Sequence, residues 1–332
     1  MNHREKIMST TTPSTPSTPS TLTAPPVAPH LRLADAATEA ELRSRSVPDI
    51  PDRHLGDHPE IRPRMGARVG FVTRLGTTVA ALGAGAGAAA LVGATTGVTA
   101  HGALTAGVVA TGLLTAVAAN WSTCGMSVAG VVAAPKQEGR PGASTPVGRL
   151  LAHLTGSLLT SVPTGLALGG VGWLIQSTVG AGSVPWAALL GIWAVIALAY
   201  GLHESDLVRM PTPMRRVQLP RHLRRAGRPA RVSFYFGMLI GPGFMIFIRS
   251  AAYYLLFLGV LALGDPLLGA ALFALVSVGR CGPAAMAIVM QHRGRTMADF
   301  LMKSMTMDRM VQLSAGVGLT ALAGFAGTAL LF

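Results

Sequence analysis

The chain has 332 residues, 50% of them hydrophobic and only 12% charged, with 40 glycines, a mean hydropathy of +0.48 and a formal net charge of +13. A water-soluble domain carries about twice that charged fraction, so a soluble enzyme or a nucleic-acid-binding domain does not fit. The basic excess suits loops that lie beside anionic headgroups.

Residues 1–70 are a different material from the rest. The tract 9–28, TTTPSTPSTPSTLTAPPVAP, cannot bury enough apolar surface to offset the entropy of ordering, and it predicts a disordered cytoplasmic tail. The start lacks the basic-then-apolar profile of a secretory signal. Within 31–45, LRLADAATEAELRSR, the spacing of Leu31, Leu33 and Leu42 predicts a short surface helix. His54, Asp57 and His58 are metal-ligand types, but a flexible Pro-flanked tract preorganises no site, and no metal is expected there.

From residue 71 onward the pattern predicts an all-α, multi-pass transmembrane helical bundle in the cell (inner or plasma) membrane. Apolar stretches fall at roughly 75–95, 103–134, 148–176, 184–201, 233–261, 266–290 and 311–332. A bilayer core needs about 20 apolar residues per helical crossing, since only a helix satisfies its own backbone groups there. Lys and Arg alternate between the connections: Lys136, Arg140 and Arg149 follow the second span, eight arginines crowd 202–232, and Arg293, Arg295, Lys303 and Arg309 precede the last. The connections near 96–102, 177–183 and 262–265 carry none. The positive-inside rule places the N-terminus in the cytoplasm and Phe332 outside.

Inside the spans, Gly83 with Gly87, Gly93 with Gly97 and Gly165 with Gly169 repeat the small-xxx-small spacing that lets helix backbones approach. Pro163 and the run Gly241-Pro242-Gly243 mark places where the hydrogen-bond ladder is interrupted, either as kinks or as a broken helix lining a cavity. No Asp or Glu falls well inside a span, which argues against an ion-coupled carrier. Asn120, Cys124, His153, Arg249, Arg280 and Cys281 do fall inside, with Tyr253 one turn from Arg249. Either the two arginines hydrogen-bond to carbonyls freed by glycine-rich breaks, or they hold an anion such as a thiolate, a quinone oxygen or a headgroup phosphate. Cys124 and Cys281 lie on spans of the same direction, each about ten residues from the cytoplasmic end, so the two thiols share a depth and could cycle between dithiol and disulfide if their helices are neighbours. Arg280 beside Cys281 would favour the thiolate. His153 has no evident acidic partner.

The segment S-T-C-G-M-S-V at 122–128, small-residue spans, a basic loop, and F-Y-F-G-M-L-I-G-P-G-F-M followed by a hairpin at Gly264-Asp265-Pro266 resemble the transmembrane domain of the CcdA/DsbD family over about residues 118–290. That resemblance implies passage of reducing equivalents from a cytoplasmic thioredoxin-like reductant to an extracytoplasmic redox acceptor, as in cytochrome c maturation. Only Cys124 matches a family cysteine; Thr123 stands in place of the family's proline, and the fifth span has no second catalytic cysteine. The pairing with Cys281 rests on depth alone.

Seven of the fifteen methionines fall between Met286 and Met310. Thioethers at i, i+3 suit Cu(I), or they serve as adaptable filler on an interfacial helix over 296–310 with Asp299, Lys303 and Arg309 reaching water. No cofactor is assigned, and quinone, haem and Cu(I) stay open. Walker, H-E-x-x-H and C-x-x-C motifs are absent. The leading reading is a thiol-disulfide conduit or redox maturation accessory; the rival is a permease with an anion-accepting site at Arg249, and a scaffold binding partners through the basic loop is the third. Membrane lipid is a partner in all three, nucleic acid in none. A reporter that works only outside the cytoplasm should be active when fused after Phe332 and silent within 202–232; the reverse pattern would overturn the orientation.

Overall fold

The computed structural model describes residues 69–332 apart from 98, 122, 135–143, 180–184, 212–227 and 244–249. The tail with its expected 31–45 helix, the His54–Asp57–His58 set, most of the basic loop and Arg249 lie outside the described residues. The described residues form nine α-helices and one 3₁₀ turn, with no strand among them. In chain order these are α1 (Phe71–Thr96), α2 (Ala100–Val117), the 3₁₀ turn Ala119–Trp121, α3 (Thr123–Val132), α4 (Pro146–Val179), α5 (Trp186–Glu204), α6 (Pro229–Ile240), α7 (Ala251–Leu263), α8 (Pro266–His292) and α9 (Met297–Ala329). Six of them, α1, α2, α4, α5, α8 and α9, are long and apolar enough to cross a membrane.

Local chemistry sets the ends. Thr99 and Asp265 accept the backbone N–H groups of Gly102 and Leu268 at the starts of α2 and α8, and Thr296 with Asp299 forms a reciprocal capping box at the start of α9. Gly264 closes α7 at φ +64°, a left-handed conformation a side chain would oppose.

Two spans that the hydropathy draws as continuous are interrupted. The second divides into α2 and α3 at the 3₁₀ turn, and the fifth divides into α6 and α7 around Gly241-Pro242-Gly243. Pro242 offers no N–H, and Gly243 sits at φ +80° against the face of Tyr253. At about 18 and 20 Å, neither α6 nor α7 alone covers a hydrocarbon core of about 30 Å, so the fifth predicted span is not among the six helices long enough to cross. Pro163 behaves differently: α4 runs through it without a break. The interfacial helix expected at 296–310 is no separate element either, because nothing between Met310 and Val311 ends the ladder and α9 continues for 33 residues, about 50 Å.

The core lies where α2, α5, α7, α8 and α9 meet, with Leu104, Val108, Trp193, Leu256, Phe273 and Leu319 all buried. The perimeter is apolar and open: Leu91, Leu151, Trp173, Val195 and Val278 are exposed. Water would penalise such a belt at about 25 cal/mol per Å², whereas lipid tails match it. At the end taken as cytoplasmic, Asp206 receives Arg74 from α1 at 3.2 Å and Arg309 from α9 at 3.4 Å, so Arg309 is paired as well as partly exposed.

Glycine sets the closest approaches, though not at every expected pair. A methyl group at Gly165 or Gly169 of α4 would overlap the carbonyl oxygens of Gly269 and Asp265, so these two helices run in backbone contact. Gly83 and Gly87 face open space; on α1 it is Gly85 that abuts the Ala321 carbonyl of α9. Gly165→Ala should therefore lower stability by about 1 to 3 kcal/mol, while Gly83→Ala should raise it by up to about 1 kcal/mol through helix propensity. Thermal unfolding of the two variants in one detergent checks the opposite signs.

Candidate functional site

The interruption of the fifth span leaves polar backbone groups at the middle of the bundle, and two buried charges of opposite sign meet them. Arg280 of α8, 4% exposed, donates from Nη1 to the Ile240 carbonyl at the C-terminal end of α6, with Gly241 O 3.5 Å away. Its guanidinium also lies 5.0 Å from the centre of the Tyr253 ring, and the Tyr253 hydroxyl donates to Gly241 O at 3.3 Å. Glu204, the last residue of α5 and likewise 4% exposed, accepts the Ala251 N–H at the start of α7 at 2.8 Å. A cation at a helix C-terminus and a carboxylate at an N-terminus each complement the local dipole. Arg280 is thus held by freed carbonyls, the first of the two roles open to it from the sequence.

Glu204 and Asp308 change the picture of the acids. Both read as loop or interfacial residues, and both are buried, Asp308 completely. Glu204 follows a hydropathic stretch without a gap, which is the signal that could have found it.

The second interruption is also tied to α8. Asn120, buried in the 3₁₀ turn, donates from Nδ2 to Ala116 O at 3.0 Å and to Val276 O at 3.2 Å. Gly125, next to Cys124, is packed so that a methyl there would overlap the Asn120 carbonyl and crowd Pro283. The helices carrying Cys124 and Cys281 are therefore neighbours, as the depth argument required. Their faces are another matter. Helix α8 meets the second span through Val276, Gly279 and Pro283; Cys281 is two residues from both Gly279 and Pro283, and two residues turn a helix by about 200°. Cys281, buried and free, thus occupies the flank of α8 away from α2 and α3.

That flank faces α4. Ser157 Oγ donates to Ser277 Oγ at 2.9 Å, and Ser277 Oγ donates in turn to Ser161 Oγ at 2.8 Å, all three fully buried. Such hydroxyl pairs hold membrane helices together at about 0.6 to 2 kcal/mol each. His153, one turn before Ser157 and also fully buried, has Nδ1 3.3 Å from the Ser233 carbonyl of α6. The spacing His153–Ser157–Ser161 marks one face of a helix and was readable as a stripe; its partner Ser277 was not. Among the described residues no group of three His, Cys, Asp or Glu side chains could hold a metal ion.

No family model matches the chain, and no solved structure does. It is similar to proteins named methylamine utilization protein MauF. The relative from Methylophilus methylotrophus is 28% identical over 168 residues, which is 50% of this chain and 57% of that protein. The relative from Methylobacillus flagellatus is 30% identical over 133 residues, 40% and 45% of the two chains, and that from Paracoccus versutus is 30% identical over 167 residues, 50% and 59%. The chain thus spans about half the length of the curated relatives it matches. Among the described residues, six helices are long and apolar enough to cross a membrane, which fits a membrane-type helical protein.

Replacing Glu204 by Ala should lower stability by about 1 to 3 kcal/mol, because the Ala251 N–H is left without its acceptor in a buried setting, while Glu204→Gln should retain part of it. Thermal unfolding of the three chains in detergent checks the order.

Proposed function

We propose that this protein is a membrane-embedded accessory of amine utilisation that works through thiol-disulfide chemistry, with Cys124 as its reactive thiol. The observation that carries the reading is the place of Cys124 in the chain. It stands in the first turn of α3, immediately after the Asn120–Trp121 interruption of the second span. The first turn of a helix has backbone N–H groups without intrahelical partners, and its dipole favours the thiolate over the thiol. A helix that restarts at this cysteine thus offers a backbone route to activation.

Two further lines support it. The motif S-T-C-G-M-S-V resembles the first redox segment of CcdA/DsbD domains, which take electrons from a thioredoxin-like reductant. The relatives are named for methylamine utilisation, and an accessory that delivers or removes electrons at thiols suits the maturation of an extracytoplasmic protein in such a pathway. The thiol of Cys124 attacks one sulfur of a partner's disulfide, that S–S bond breaks and one partner thiolate leaves; the two thiols of the thioredoxin-like reductant then resolve the mixed disulfide in turn, which returns the Cys124 thiol, frees the partner's second thiol and leaves the reductant as its disulfide. The permease reading rests on Arg249, which lies outside the described residues.

Trapping thiols in intact cells tests this. Acid quenching followed by alkylation should reveal a mixed disulfide or a mobility shift that depends on Cys124, and Cys124→Ser should remove it together with growth on methylamine as nitrogen source. A host carrying Cys124→Ser that grows on methylamine like wild type would overturn the proposal.

A further inference from the structure

Helices α1, α5 and α9 are joined at the end taken as cytoplasmic by one residue, Asp206, which follows α5 at φ +63°, a left-handed conformation that Asp tolerates better than most side chains. Its carboxylate Oδ2 lies 3.2 Å from Arg74 Nη1 and 3.4 Å from Arg309 Nη2, and its carbonyl accepts from Arg74 Nη1 at 2.8 Å. Beside this clasp is a partly open cleft lined by Arg74, Glu204, Ser205, Asp206 and Arg309. Its free space is about 10 Å³, room for a single water-sized atom.

What the cleft still offers is hydrogen-bond donors. Arg74 meets Asp206 through Nη1 alone, which leaves its Nε–Nη2 edge, the fork that fits two oxygens of a phosphate or carboxylate. Nε of that edge is buried and has no hydrogen-bond partner. Ser205 is fully buried, and its Oγ is likewise without one. Two such orphans on one cleft call for an oxygen that accepts from them. The acids of the cleft are committed elsewhere: Glu204 accepts the Ala251 N–H, and Asp206 Oδ2 takes both guanidiniums. Two guanidiniums thus share one carboxylate at the mouth, a balance that favours an anion.

We infer that this cleft binds a phosphate group, one oxygen of which enters it and accepts from Arg74 Nε and the Ser205 hydroxyl, with Arg309 as the second positive charge; the phosphate is that of an anionic phospholipid headgroup or free phosphate. The surroundings suit a lipid. Phe71, Val72 and Leu75 flank Arg74 on α1 and are exposed, so acyl chains find apolar surface next to a headgroup held at the cleft. Arginines at this end also stand where an anionic membrane surface lies. A phosphate bound there ties α1 to the α5–α9 pair, and the site is separate from the thiol chemistry proposed for Cys124.

The test uses the full chain in detergent micelles titrated with dioleoylphosphatidylglycerol, with bound lipid read by native mass spectrometry. Ser205→Ala removes a hydroxyl that has no protein partner, so without lipid its thermal midpoint should match or exceed that of the wild type, while lipid affinity falls about threefold. Arg74→Lys keeps the charge and loses the fork, and affinity should fall about tenfold. Arg293→Lys, at an exposed arginine of the same end, is the control and should bind as the wild type does. Millimolar inorganic phosphate separates the sources. A raised midpoint in the wild type but not in Arg74→Lys, without lipid retention, assigns the site to free phosphate; lipid retention with no response to phosphate assigns it to the headgroup. Unchanged lipid affinity in both variants with no response to phosphate would overturn the inference. So would an equal loss in Arg293→Lys, the mark of a lipid that prefers any surface guanidinium. If Arg74→Lys does not fold, Ser205→Ala decides alone.

Discussion

Backbone groups exposed by a broken helix must find partners inside the protein when no water reaches them, and the fifth span of this chain is organised by that requirement. The C-terminal carbonyls of α6 would be unsatisfied at the level where Gly241-Pro242-Gly243 stops the ladder, and Arg280 answers them from α8. The N-terminal amide of α7 is answered by Glu204 from α5. Each of these side chains is costly to insert alone, by several kcal/mol for an isolated charge at depth. Placed against the end of a half-helix whose partial charge has the opposite sign, each meets polar backbone that would itself be costly to leave bare. Three helices are thereby fixed around the break.

Glycine does the complementary work where no charge is involved. The backbones of α4 and α8 touch at Gly165, Gly169 and Gly269, and contact that close leaves one register available. From it follows the serine chain Ser157–Ser277–Ser161. One face of α8 is committed through Val276, Gly279 and Pro283 to the second span, and Cys281 lies on another.

Cys124 stands at the start of a helix that resumes after a break, and Cys281 is buried in α8 next to Arg280. Similarity to methylamine utilisation proteins over about half of their length gives the redox reading a biological setting, and the cysteine placements give it a chemistry. The proposed thiol chemistry would draw on the backbone N–H groups at the start of α3.

Much of the architecture was written in local pattern. Hydropathy found the apolar segments, because the need for about 20 apolar residues per span is a property of the chain against its solvent and involves no neighbour; yet among the described residues six helices are long enough to cross where seven spans were read, and α9 begins at Met297, well before the last predicted span. The Gly-Pro-Gly break was legible for the same reason: a missing N–H and a positive φ are local facts. Other features depended on which helix lies next to which. Gly83 and Gly87 carry the same spacing as Gly165 and Gly169, yet only the second pair meets a partner, since a small-residue face records the capacity for contact and not its occupant. The role of Arg280 and the burial of Glu204 were settled by packing between segments far apart in the chain. Sequence by itself determined that this protein is a helical membrane bundle and where its helices break; tertiary structure decided which polar group answers which, because satisfaction of a buried charge or amide is a relation between elements that no single element encodes.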